Sequence, residues 1–170
     1  MLFQIRTAIM TDLSNKILLR KATQADAEEI ANVYLVSRKK LLPYAPLAHS
    51  DVDVLHWIQE ILIPTNQVTV VEDNRIIIGM MALSKNQDIG WIDQLYLLPT
   101  STGRGVGTVL LNLAKETLGS PIRLHTFQEN IQAQRFYEQH AFRVIALTDG
   151  LSNEELCPDM LYEWRSDTKS

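Results

Sequence analysis

Between residues 67 and 99 three apolar, β-branched runs follow one another with only short turns between them, and a glycine-rich turn then leads straight into an apolar helix. Turns that short join neighbouring strands only when the strands are antiparallel, since a parallel neighbour needs a crossover of a dozen residues or more. The sequence therefore predicts a meander: residues 67–73, a turn at Asp73-Asn74, the run RIIIGMMAL, a turn at residues 86–88, and the run IGWIDQLYLLP.

Around the meander the apolar period alternates between that of strands and that of helices. Residues 16–22 read as a strand. Thr23 caps a helix with Asp26 in its first turn and a stripe of Ala27, Ile30, Tyr34, Ser37 and Leu41. Pro43 and Pro46 end that helix. Ser50 caps a second one, with Val54, Trp57, Ile58, Ile61 and Leu62 as its stripe and Pro64 as its stop. After the meander come a helix from about Gly105 to Leu118, a strand at 122–127, a helix at 132–140 and strands at 142–147 and 160–164. The expectation is one α+β domain at 17–165, a mixed, mostly antiparallel sheet of about seven strands with about four helices. Residues 1–16 are an extension ahead of it and 166–170 a tail.

Length and composition bound the function. The 170 residues suffice for one domain with a substantial core and are few for two. A net charge of −4 gives no reason to expect a nucleic-acid partner. The single cysteine, Cys157, excludes an internal disulfide and offers no metal pattern. Gln4, Arg6 and Thr7 break the apolar start, so it does not read as a signal peptide, and no run approaches the roughly 20 apolar residues of a membrane span. A cytoplasmic protein without membrane or metal partners is the expectation.

In the segment TGRGVGT, residues 102–108, Gly103, Gly105 and Gly107 let the backbone approach a ligand, and the first turn of the helix presents unpaired N–H groups to an anion. Thr108 adds a hydroxyl. On the glycines alone a tight turn that binds nothing fits equally well. A P-loop is excluded because no lysine follows any of these glycines. The dinucleotide fingerprint is excluded because the spacing is GxGxG after an antiparallel meander.

The run LYLLPTSTGRGVGTVLL, residues 95–111, resembles the central motif of the GNAT acetyltransferase superfamily, a strand ending in proline and then R/Q-x-x-G-x-G/A. Pro99, Gly105 and Gly107 match; Thr102 stands at the Arg/Gln position and Arg104 is a charge nearby. NIQAQRFYEQHAF, residues 130–142, is similar to the later motif N-x-x-A-x-x-F-Y-x-x-x-G-F, with Ala141 where glycine is usual. If Ala141 is left-handed, it costs about 1 kcal/mol relative to glycine.

The resemblance implies acetyl-CoA as co-substrate and acetyl transfer to a primary amine by direct attack in a ternary complex. It implies a pantetheine arm beside the backbone of Leu95, Tyr96 and Leu97, and a pyrophosphate at Thr102, Gly103, Arg104, Gly105, Val106, Gly107 and Thr108. Asn130, Ala133 and Phe136 would then lie along the coenzyme, and Tyr137 would be the acid for the departing thiolate. Dimers are frequent in the superfamily, so a homodimer is allowed. The rival reading is a non-catalytic acyl-CoA-binding sensor, against which the presence of Tyr137 beside Asn130 argues.

On spacing alone Tyr137 also reads as a core tyrosine of its helix stripe. Asp93 shares the parity of Trp91, Leu95 and Leu97 and so the same side of a regular strand; among apolar neighbours it reads either as the general base or as a carboxylate paired with an arginine. Glu72, at a strand end, is a weaker base candidate. The acceptor site falls to the two N-terminal helices, the loop LPYAPLAHSD and the segment DGLSNEELCPD. The last either closes over the cleft with Asp149, Glu154, Glu155 and Asp159, favouring a cationic acceptor, or is a solvated loop. His49 and His56 lack a third metal ligand; His125 reads as a strand residue beside the cleft, and Trp57, Trp91 and Trp164 as core or cleft wall. Nothing identifies the amine.

Overall fold

The computed structural model describes residues 17–167, so the extension at 1–16 and the last three residues lie outside the described chain. Seven strands form one sheet in the order β1-β2-β3-β4-β5-β7-β6. They are β1 (Ile17–Lys21), β2 (Gln67–Asp73), β3 (Ile76–Asn86), β4 (Ile89–Leu97), β5 (Ile122–Phe127), β6 (Arg143–Leu147) and β7 (Asp159–Trp164). Every neighbouring pair is antiparallel except β4 and β5. The β2–β3–β4 meander is present, and Asn74 and Arg75 both take positive φ in its first turn, the geometry that fits the twist of two-residue hairpins.

Helices cover both faces. On one lie α1 (Ala27–Leu41) and α2 (Asp51–Trp57), the latter continuing through a wide turn, Ile58–Leu62, into a last short turn α3 (Ile63–Thr65). Ile30, Val33, Val54, Ile58 and Leu62 pack there on Val70, Met80 and Ala82. On the other face α4 (Val106–Leu118) and α5 (Ile131–Gln139) pack on the sheet; Leu110, Leu111 and Tyr137 meet Met81, Ile122 and Tyr162. A two-sided sheet explains why β3 is apolar without alternation, buried from Ile77 to Leu83.

The caps at Thr23 and Ser50 form as the sequence predicts, each closed by an aspartate three residues on; Asp26 Oδ2 accepts from the Thr23 N–H at 2.7 Å. Two stripe residues differ. Ile61 is 52% exposed because the wide turn adds a residue, so the buried line runs Val54, Ile58, Leu62. Leu41, in the last turn of α1, is also exposed, while Arg38 is buried.

Candidate active site

Strands β4 and β5 pair only at Gly90–Ile122 and Trp91–Arg123, and beyond that they diverge. Leu98 donates its N–H to Ile78 at 2.8 Å, so by strand alternation Tyr96 turns its backbone to β3, while Leu95 and Leu97 turn theirs into the opening. Ser37 of α1 donates to the Leu97 carbonyl at 2.5 Å. The Leu95 backbone and the Leu97 N–H are left facing the gap between the strands.

At the end of β4 the glycine-rich turn starts α4. Gly103 and Gly105 have φ of +73° and +81°, and nothing stands within 4 Å of where their side chains would be, so both hold a left-handed bend with open space over it. Among the described residues no backbone carbonyl accepts from the N–H groups of residues 103–108, which therefore converge unpaired at the N-terminus of a 13-residue helix. Gly107 differs: a Cβ there would lie 3.1 Å from the Phe136 ring, so its absence lets α5 approach α4.

The side chains of this turn are engaged elsewhere. Thr102 donates to the Pro99 carbonyl at 2.9 Å, and Arg104 pairs with Asp73 at 3.0 Å. His140 Nδ1 meets the Phe136 carbonyl at 2.7 Å, which only accepts, so in the neutral ring Nε2 accepts from the Thr108 hydroxyl at 3.1 Å. The groups of this turn left without a protein partner are thus backbone N–H groups, and Val106 is buried in the core beneath them.

On the α1–α2 side the opening widens into a cavity of about 820 Å3, whose wall includes Asp93, Leu95, Tyr96, Asn130, Ala133 and Tyr137. Asn130 caps α5 by accepting from the Ala133 N–H at 3.1 Å, which fixes its side chain at the cavity edge. Tyr137 is 8% exposed among the rings of Phe136, Phe142 and Tyr162. Burial raises its pKa well above the usual tyrosine value, so it keeps its proton throughout the neutral range.

The orientation expected for Asp93 is corrected. Ile92 opposes Leu83 and Gln94 opposes Ala82, so Asp93 is the extra residue of a β-bulge. The bulge breaks the parity: Leu95 and Leu97 pack on the α4 side, whereas Asp93 reaches Asn66 at 2.8 Å beside the end of α3, and Tyr96 packs with α1. No cation pairs with Asp93 among the described residues; desolvation raises its pKa, and hydrogen bonds from Ser84 and Asn66 oppose the rise. Glu72 is bound to Arg20 at 2.6 Å on the β1–β2 edge and does not reach the cavity.

The C-terminal acidic segment borders the cavity through Glu154, Glu155 and Asp159, while Asp149, Leu151 and Leu156 of the same segment are exposed to solvent. Gly150 has φ of +81°, and a Cβ there would stand 2.2 Å from the Cys157 backbone, while Asn153 bonds Cys157 and Asp159. Glu155 pairs with Arg38 at 2.9 Å, and Glu154 meets His49 at 2.9 Å. Arg38, only 4% exposed, lies between the Tyr34 and Phe127 rings and was not singled out by the sequence. Its spacing of four from Tyr34 and eight from Ile30, on the buried side of the helix, is the signal that could have found it. His125 stacks on Trp91 at 5.8 Å along the cavity wall, and Trp57 lines it as well. No group of three metal-ligating side chains occurs among the described residues, nor any helix long and apolar enough to cross a membrane.

The sheet order, the single parallel pair and its divergence define an acetyltransferase-type α+β fold. Solved structures share it. That of the PaiA N-acetyltransferase from Thermoplasma acidophilum in complex with coenzyme A superposes with a TM-score of 0.70 at 20% identity, covering 88% of this chain and 99% of that one. A ribosomal-protein-alanine N-acetyltransferase from Brucella melitensis gives 0.67 at 14% identity, covering 88% and 99%. At such identities the likeness establishes the fold. No curated protein matches the sequence. Residues 29–142 match the model of the acetyltransferase (GNAT) family, and the chain belongs to that family.

Proposed function

We propose that the protein transfers an acetyl group from acetyl-CoA to a primary amine by direct attack in a ternary complex. The observation that carries the reading is the divergence of β4 from β5, with unpaired N–H groups at one end and a cavity whose wall includes Asp93 and Tyr137 on the other side. The residues fit the coenzyme: residues 103–108 offer N–H groups to a pyrophosphate, and the Leu95 and Leu97 backbone offers an open strand edge to an amide-bearing arm. When bound, acetyl-CoA supplies a thioester that a neutral amine attacks, with coenzyme A leaving as the thiol.

Asp93 takes the proton that an alkylammonium of pKa near 10.4 carries at neutral pH, directly or through water. A backbone N–H of the 95–97 run donates to the oxygen on which negative charge develops. Tyr137 gives its proton to the departing sulfur, the nitrogen of the new amide loses one proton to solvent as the intermediate collapses, and the Tyr137 phenolate regains one from solvent. Direct transfer is favoured because the one cysteine, Cys157, turns its thiol to the Tyr44 and Glu155 carbonyls at 3.5 and 3.3 Å and is not part of the cavity wall, so no thiol is placed to carry the acetyl group.

The test is coenzyme A release from acetyl-CoA with a panel of amines, beside calorimetry with coenzyme A. Amine-dependent release supports the reading. Binding of coenzyme A with no release for any amine would favour the sensor alternative.

A further inference from the structure

The cavity wall has a charge pattern that narrows the acceptor. Asp53, Asp93, Glu154, Glu155 and Asp159 line it against a single guanidinium, Arg38, so with its histidines neutral the wall carries four negative charges in excess. Arg38 is already balanced by Glu155. Asp53 is held by the Ser50 hydroxyl at 2.6 Å and the Ser50 N–H at 3.3 Å, and Asp93 by the Asn66 amide at 2.8 Å and by Ser84, so neither is paired with a lysine or arginine among the described residues.

A series of rings, Trp57, Tyr34 and Tyr96, shares the cavity wall with these two carboxylates. Trp57 follows Asp53 by one turn of α2 and shares its face. The Trp57 and Tyr34 centroids are 5.7 Å apart, and those of Tyr34 and Tyr96 are 5.0 Å apart, edge to face. Aromatic faces with carboxylates beside them are the surroundings that hold alkylammonium groups, and they repel carboxylates. A singly charged amine would use one end of this wall and leave the other without a partner.

We infer that the acceptor is a diammonium or polyammonium compound, one amine at Asp93 for reaction and a second cation held by Asp53 and the Trp57 ring. The inference rests on the proposed acetyl transfer only for the role of Asp93; the preference for a second cation follows from the wall itself.

The test uses the full chain and three acceptors of equal length: 1,4-diaminobutane, butylamine and 4-aminobutanoate. The diamine is expected to give a kcat/KM about tenfold above butylamine and at least about 100-fold above 4-aminobutanoate, with the advantage shrinking as salt is raised from about 0.05 to 0.5 M. Asp53→Asn keeps a capping side chain on α2 and should raise KM for the diamine about five- to tenfold more than for butylamine, with little change in kcat. A thermal melt establishes that the variant is folded. Calorimetry of the same three compounds gives the ranking independently of turnover. Diamine binding without coenzyme A release would refute the transferase reading and support the charge inference. Equal kcat/KM for butylamine and diamine, a preference for 4-aminobutanoate, or no diamine binding by a protein that binds coenzyme A would each overturn it.

Discussion

Replacing Tyr137 by phenylalanine separates chemistry from packing at the centre of the site. The ring lies 5.3 Å from Phe136, 5.7 Å from Phe142 and 6.0 Å from Tyr162, and all three contacts survive in Tyr137→Phe because only one oxygen is removed. Stability should change by less than about 1 kcal/mol. The loss in rate is set by the leaving group. A thiol has a pKa of about 8.5, so its thiolate departs tolerably well without a proton, and the acid is worth about 10² in kcat, or about 2.7 kcal/mol, rather than the larger factors seen with poorer leaving groups. The assay is thiol release at saturating acetyl-CoA, with calorimetry showing coenzyme A affinity within about twofold of the wild type. Because burial holds the phenol above its usual pKa, the wild-type kcat should show no alkaline decline from this group below about pH 10. A folded variant whose kcat stays within about threefold of the wild type would make Tyr137 a packing residue and refute the assignment.

Asp93→Asn should lower kcat by about 10- to 1,000-fold and flatten the acid limb of the pH–rate profile, since the base is the ionised form and its raised pKa places that limb above the ordinary carboxylate range; an unchanged limb would remove Asp93 from the mechanism. The sign for stability is opposite: a carboxyl whose folded pKa is raised favours folding less as pH climbs through that pKa, so the Asn variant should melt no lower than the wild type at pH 7. Ala141 has φ of +67°, so Ala141→Gly should stabilise the domain by about 1 kcal/mol and raise Tm by about 2–4 °C, and a lower melting temperature would contradict this. Glu155→Ala leaves the buried Arg38 guanidinium without its carboxylate and should cost about 2 kcal/mol or more in urea denaturation, whereas a cost below about 0.5 kcal/mol would show that the pair contributes nothing.

What the sequence made legible was governed by local periodicity. Strand 122–127 falls where the alternation places it, and the caps at Thr23 and Ser50 form because each has an aspartate three residues on. What it hid depends on breaks in periodicity. Asp93 sits in a run that reads as a regular strand, and only the pairing of β4 with β3 reveals the bulge that turns it towards α3. Ile61 was misplaced by one added residue in the wide turn of α2. The placing of residues 148–158 beside the cavity follows from two contacts, Gly150 against Cys157 and Glu155 on Arg38, which leave no periodic trace. Tyr137 and Asn130, from α5 and its N-cap, and Asp93, from β4, are nonetheless gathered on one cavity wall. The three glycines looked equivalent in sequence and divide by environment into two bends open to a ligand and one helix contact.

The opening of the sheet has causes at both of its ends. At the closed end, Gly90 stands where a Cβ would lie 2.7 Å from that of Leu118, so the end of α4 lies directly over the one place where β4 and β5 pair. Seven residues further along β4, Ser37 takes the Leu97 carbonyl towards α1, and the turn at Pro99–Ser101 carries the chain to α4. Between them the bulge at Asp93 adds local twist, which rotates the later part of β4 away from the line of β5. One strand is therefore fastened to a helix on one face of the sheet near its start and to a helix on the opposite face near its end. Divergence from its parallel neighbour follows from that attachment. It also sets two kinds of group along one strand: backbone exposed by the gap at Leu95 and Leu97, and a carboxylate displaced by the bulge that lines the α1–α2 cavity.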